Sequence, residues 1–242
     1  MDAIIIKGLT KIYKDTKAVD NLCLSIKKGE LFSLLGVNGA GKTTTIKMLS
    51  CLINSTSGDA ILNGKSIKKE SSAVKSFIAV SPQETAVASA LTTKENLELM
   101  CGVHGFRKQE KSEKIEKLTR LLNLETIMNK KAGKLSGGWG RRLSIAMALI
   151  SEPQILFLDE PTLGLDVLAR SDLWDIIRSL KGKITIIMTT HYMEEAEALS
   201  DRIGIMKDGK LLICDTAQNI KKEANTDSFE QAFINIVRGA EK

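Results

Sequence analysis

The chain has 242 residues, 43% of them hydrophobic and 26% charged with three prolines, which excludes a disordered chain and fits one large domain or one core carrying an inserted subdomain. Its formal charge of +6 is spread among acids, and the densest basic stretches, Lys68-Lys69, Lys130-Lys131 and Lys221-Lys222, read as solvated faces, so no nucleic-acid partner is expected. The longest apolar runs fall far short of the ~20 residues that span a bilayer, and the start Met1-Asp2-Ala3-Ile4 has neither the basic nor the apolar region of an export signal, which predicts a cytosolic chain.

Residues 3 to 35 read as short strands. Ala3 to Ile6 is one, Leu22, Leu24 and Ile26 alternate along a second, and Leu31 to Leu35 is an apolar run that stops at Gly36. Gly36-Val37-Asn38-Gly39-Ala40-Gly41-Lys42-Thr43 then fits G-x-x-x-x-G-K-[ST], directly after that strand and directly before a helical stretch from Thr44 to Leu52. Glycines let the backbone double back so that successive N–H groups and a helix N-terminus face phosphate oxygens. Lys42 is placed to reach the β and γ phosphates, and Thr43 to offer its hydroxyl to Mg²⁺. The motif alone fits an ATPase, a GTPase or a small-molecule kinase.

Asn63-Gly64 marks a hairpin turn, and Phe77 to Val80 a buried strand leading into Ser81-Pro82-Gln83-Glu84. From about 91 to 150 the pattern is helical: Thr92-Thr93-Lys94-Glu95 offers a capping box, and Ile115, Leu118, Leu121 and Leu122 recur at helical spacing. Asn129-Lys130-Lys131-Ala132 begins like a guanine-reading N-K-x-D motif, but Ala132 stands where the base-reading aspartate is needed, which disfavours a GTPase. Leu135-Ser136-Gly137-Gly138 precedes another apolar helical run, so Ser136 is expected as the N-cap of a helix whose bare first turn is a second anion site. One P-loop nucleotide already has its phosphates cradled, so the economical reading turns this helix end toward the nucleotide of another subunit.

Ile155 to Leu158 is a buried strand ending in Asp159-Glu160, two carboxylates at the carboxyl end of a strand, where open α/β sheets bind ligands. Asp159 suits the Mg²⁺ shell, and Glu160 the attacking water. His191 follows the strand Thr185 to Thr190 and is placed to meet the γ-phosphate or that water; His104 reads as structural. Asp208-Gly209 joins Ile203-Met206 to Leu211-Cys214 as a hairpin, and Phe229, Ala232, Phe233, Ile236 and Val237 form the stripe of a helix folded back on the core. Cys23, Cys51, Cys101 and Cys214 form no C-x-x-C pair and are expected as buried free thiols.

In this order the motifs resemble those of ABC-transporter ATP-binding subunits over nearly the whole chain. Gly36 to Thr43 is similar to the Walker A motif, Gln83 to the Q-loop, Leu135 to Gly138 to the signature, Ile155 to Glu160 to Walker B, Gly164-Leu165-Asp166 to the D-loop and His191 to the switch histidine. The resemblance implies an α/β P-loop NTPase with a mainly parallel sheet and an antiparallel β subdomain (1–90 and 151–215), an inserted α-helical subdomain (91–150) and a helical tail (216–242). It implies ATP and Mg²⁺ as cofactors, with nucleotide contacts from Tyr13, which occupies the adenine-stacking position, from Gly36 through Thr44, and from Gln83 and Asp159. Mg²⁺ ligation falls to Thr43, Gln83 and Asp159, and catalysis to Glu160, His191 and Lys42. It also implies a head-to-tail dimer, in which Ser136, Gly137 and Gly138 reach the second subunit's ATP. Because every catalytic position is filled here, a homodimer is favoured over a heterodimer. An integral membrane transporter subunit is implied as the other partner, with the chain peripheral on the inner face of the cell membrane. The flanking residues, Leu9 to Tyr13 and Thr189 to Ala196, are similar to the branch exporting drugs, antibiotics or ions. One departure stands out: Trp139 occupies the place where the signature usually has glutamine. A soluble ABC ATPase acting on DNA or the ribosome is the rival reading, but it usually carries two ATPase units or a long coiled-coil insertion, and neither is present.

Overall fold

The computed structural model describes residues 1–239. In chain order the first elements are β1 (Asp2–Tyr13), β2 (Thr16–Lys27), β3 (Leu31–Leu35), α1 (Lys42–Leu49), β4 (Ser57–Leu62), β5 (Lys65–Ser66), α2 (Ser71–Lys75) and β6 (Ile78–Ser81). The helical stretch follows as α3 (Thr93–Val103), α4 (Lys108–Leu121) and α5 (Gly137–Leu149). The chain then alternates through β7 (Ile155–Asp159), α6 (Val167–Leu180), β8 (Thr185–Thr190), α7 (Met193–Leu199), β9 (Arg202–Lys207) and β10 (Lys210–Asp215), and closes with α8 (Ala217–Glu223) and α9 (Phe229–Gly239).

Two sheets result. One is antiparallel, in the order β2-β1-β4-β5, and the other runs β10-β9-β3-β8-β7-β6. In the second sheet β3, β6, β7, β8 and β9 are parallel, with β10 added antiparallel at one edge. Every residue of β3, β7 and β8 is buried, which explains why these strands read as mostly apolar runs rather than as alternations.

The two-residue period of the strands still sorts their side chains. Leu31, Leu156, Leu158, Ile186 and Met188 face one layer, where they pack with Leu97, Leu118, Leu143 and Ile177 of the helices. Phe32, Leu34, Phe157 and Ile187 face the other, against Ile46 and Leu49 of α1 and Ile4, Leu9 and Leu24 of the antiparallel sheet. The chain's end covers a third patch: Ile220, Phe229, Ala232 and Phe233 pack on Leu35, Ile203 and Ile205. Residues 240–242, the end of the expected tail, lie outside the described residues.

Several local expectations follow through at atomic scale. Thr92 and Glu95 make both halves of the capping box of α3. Asp166 caps α6 by accepting from Ala169 N–H at 2.9 Å. The cysteine expectation is corrected: Cys23 is exposed, Cys51 and Cys214 are half-buried, and Cys101 alone is buried. Strand period gives the reason, since Leu22, Leu24 and Ile26 face inward and Cys23 lies between them on the opposite face.

Candidate functional site

The parallel strands deliver their carboxyl ends to one edge of the sheet, and each end carries part of a site. β3 runs into the Gly36–Thr43 loop, β7 ends at Asp159 with Glu160 next, β8 is followed by His191, and β6 leads through Pro82 to Gln83. This is the edge where α/β sheets bind ligands. A cleft of about 380 Å³ opens there, lined by Ala18, Asn38 through Thr44, Gln83, Glu160, Leu163 and His191.

The loop is held from beneath. A Cβ on Gly36 would lie 2.4 Å from the carbonyl oxygen of Met206, and one on Gly41, whose φ is +100°, would lie 2.3 Å from that of Ala18. Both contacts are with backbone, so no side chain can be fitted at either place. The β9–β10 turn braces the loop through Gly209 N–H, which donates to Ala40 O at 3.2 Å.

Lys42, Thr43, Glu160 and His191 line the cleft, and Asp159, buried and not itself among the lining residues, joins them through Thr43. Lys42 Nζ donates to Gly36 O at 2.8 Å and Val37 O at 3.1 Å, and lies 3.6 Å from Glu160 Oε1. Burial pushes the Lys42 ammonium below its ordinary value, against the opposing pull of the Glu160 carboxylate. Asp159 Oδ1 accepts from Thr43 Oγ1 at 3.0 Å and from Thr189 Oγ1 at 2.5 Å, so two hydroxyls from different elements orient one buried carboxylate. Glu160 Oε2 lies 3.1 Å from His191 Nδ1. Glu160 itself has a φ of 47°, an uncommon conformation for a residue with a side chain and of the kind that clusters at active sites. Its N–H is secured by Thr189 O at 3.1 Å and Thr189 Oγ1 at 3.0 Å.

Other expected residues lie elsewhere. Tyr13 sits at the hairpin end of the antiparallel sheet, exposed, with Lys11 Nζ 5.0 Å from its ring centroid, and does not line the cleft. Val37 points outward, 47% exposed. Ser136, Gly137 and Gly138 are also outside the cleft. Ser136 holds the N-cap position of α5, but its side chain makes no cap hydrogen bond, contrary to the expected capping role. The first turn of α5 packs on the start of α6 instead: a Cβ on Gly138 would lie 2.9 Å from Ala169 Cβ. Trp139 lies half-buried with the Arg142 guanidinium 4.6 Å from its ring centroid, and Arg142 Nη2 reaches Asp172 Oδ2 of α6 at 2.6 Å. Sequence reasoning missed Ala18 and Leu163 as lining and Thr189 as the partner of Asp159. No local signal marked the last, since Thr189 meets Asp159 only through the pairing of β7 with β8.

The residues fit the groups implied. A hydroxyl and a carboxylate, Thr43 and Asp159, are hard oxygen donors of the kind Mg²⁺ prefers.

Comparison with known proteins agrees in kind. The family described as ABC transporter matches residues 19–163. ATP-binding cassette sub-family A member 2 of Homo sapiens is 42% identical over 226 residues, 91% of this chain and 9% of that protein. The Probable multidrug ABC transporter ATP-binding protein YbhF of Escherichia coli is 38% identical over 242 residues, 98% of this chain and 42% of its own length. The chain thus spans less than half of these relatives. A solved structure of an ATP-binding subunit of an ABC transporter superposes with a TM-score of 0.85 at 26% identity, covering 97% of this chain and 99% of that one. A dimeric ATP-binding cassette in a post-hydrolysis state with ADP and Pi superposes at 0.79 with 27% identity, covering 88% of this chain and 98% of that one.

Proposed function

The chain belongs to the ABC transporter family as an ATP-binding ATPase domain, and from that premise we propose that it powers export through a separate membrane subunit by ATP-driven closure and opening of a dimer. The observation that carries this reading is the convergence of Lys42, Thr43, Asp159, Glu160 and His191 at one sheet edge, while Ser136–Gly138 stand outside that cleft on a bare helix end. One chain supplies a phosphate cradle and a base; the helix end is offered to a second.

Within the cleft the loop N–H groups and Lys42 hold the β and γ phosphates of ATP. Mg²⁺ would be held by Thr43 and Asp159, with Gln83 lining the same cleft, and its charge would offset that of the phosphate oxygens. Glu160 accepts a proton from water as the water oxygen bonds to the γ-phosphorus and the bridging bond to the β-phosphate breaks. His191, in contact with Glu160 Oε2, keeps that carboxylate aimed at the water. Lys42 stays beside the same carboxylate, where it stabilises the transferred charge.

A complete set of catalytic side chains in one sequence favours a homodimer. Among the described residues no helix is long and apolar enough to cross a membrane, so the location proposed is peripheral, on the inner face of the cell membrane beside a membrane subunit. A relative's name, multidrug ABC transporter ATP-binding protein, supports the assignment to transport. The test is Glu160→Gln, which should bind ATP like the parent and hydrolyse it at least about a hundredfold more slowly. Parental turnover in that variant would remove Glu160 from the mechanism.

A further inference from the structure

Arg141 is a buried charge that the mechanism above does not use. It lies in α5, 5% exposed, and its guanidinium is spent on two main-chain carbonyls: Nη1 donates to Pro82 O and Nη2 to Gln83 O, each at 2.6 Å. Burial lowers its hold on the proton, and the nearby Asp159 carboxylate opposes that. Taking a guanidinium out of water is costly unless its donors are well used, and here they are used on one short segment, the loop that carries Gln83 into the cleft.

A second contact extends the same seam. Ser144 of α5 hydrogen-bonds Ser81, the last residue of β6, through their hydroxyls at 3.0 Å, both side chains buried. The helix is therefore fastened along the end of β6 and onto the loop beyond it. Arg142, the next residue, faces away from this seam toward Trp139 and Asp172. Two adjacent arginines thus tie α5 in two directions, one to the Gln83 loop and one to α6.

We propose that Arg141 is a positioning residue for hydrolysis: it fastens the Gln83 loop to the helix that begins at Ser136, so that the cleft of one nucleotide and the helix end offered to the other subunit's nucleotide move as one body. The inference rests on the cross-subunit reading of Ser136–Gly138 given above. A planar fork that spans two carbonyls fixes the loop's orientation as well as its distance, which a single ammonium cannot do.

The test compares Arg141→Met, which removes both donors, with Arg141→Lys, which keeps the charge but not the fork, in the full chain. Three quantities are measured: affinity for trinitrophenyl-ATP with Mg²⁺, kcat and KM for ATP, and amide hydrogen exchange. Arg141→Met is expected to keep nucleotide affinity within about twofold while kcat falls about 10- to 100-fold, the scale of a small misplacement remote from the chemistry. Its exchange should rise over residues 83–90 and stay unchanged in the sheet, and Arg141→Lys should recover part of the rate. Parental kcat in Arg141→Met would overturn the proposal. So would a common loss of affinity and kcat with exchange raised throughout α5 and the sheet, which marks a packing role. Glu160→Gln measured alongside separates the two readings: an active Glu160→Gln defeats the assigned chemistry, whereas an inactive one beside a fully active Arg141→Met defeats only the latch.

Discussion

Thr189→Val is the substitution whose consequence can be worked most fully. Thr189 is entirely buried on β8, and its hydroxyl donates to Asp159 Oδ1 at 2.5 Å. Valine keeps the shape and branching but removes that donor. The Glu160 N–H, which shares the hydroxyl, retains the Thr189 carbonyl at 3.1 Å, so no backbone donor is orphaned. What is lost is one of two hydroxyl bonds to a carboxylate that is 5% exposed. A hydrogen bond to a charged group is worth about 1.5–3 kcal/mol, and about 2–4 °C of Tm accompanies each kcal/mol in a domain of this size, so Tm should fall by roughly 3–12 °C. Thermal unfolding of the nucleotide-free chain measures this. Hydrolysis should fall as well, because Asp159 is then aimed by Thr43 alone. A Tm within about 1 °C of the parent, outside the range from hydrogen-bond energies, would refute the claim that Thr189 holds Asp159.

Two further outcomes are expected. Gly138→Ala sets a Cβ 2.9 Å from Ala169 Cβ and pushes the first turn of α5 away from α6; turnover should fall about tenfold or more while trinitrophenyl-ATP affinity, which rests on the P-loop, holds. Glu195 is fully buried, its Oε1 accepting from Thr162 Oγ1 at 2.8 Å and Trp174 Nε1 at 3.1 Å; burial pushes its carboxyl up, against the opposing pull of the hydroxyls of Thr190 and Thr162 and the Trp174 N–H. A raised folded-state value means the native chain binds more protons than the unfolded one, so this group's contribution to stability is lost as pH rises from about 4.3 through the folded value. Glu195→Gln should flatten that fall in a Tm-against-pH series, and an unchanged slope would contradict it.

How much of this was legible in the sequence depends on whether the signal was contiguous. The Gly36–Thr43 loop, Asp159-Glu160 and His191 each follow an apolar run, and an apolar run bounded by turn residues is a local pattern; the structure places all of them at one sheet edge. Thr189 and Arg141 were not legible, because their roles come from distant partners, Asp159 in one case and the carbonyls of Pro82 and Gln83 in the other. Main-chain acceptors leave no mark on composition. Ala18 was missed for a related reason: it lines the cleft because the antiparallel sheet leans over the P-loop, with its carbonyl against Gly41. Cys23 was misjudged although the alternation of Leu22, Leu24 and Ile26 held the answer, and Ser136 took the cap position without the cap bond.

The most direct test of the account is sedimentation of Glu160→Gln with and without Mg²⁺ and ATP. A base-less variant that still binds nucleotide should stop the cycle with both half-sites filled, giving a dimer with ATP and a monomer without it. A chain that binds ATP at saturation and remains monomeric would contradict the claim that the Ser136–Gly138 helix end completes a second subunit's site.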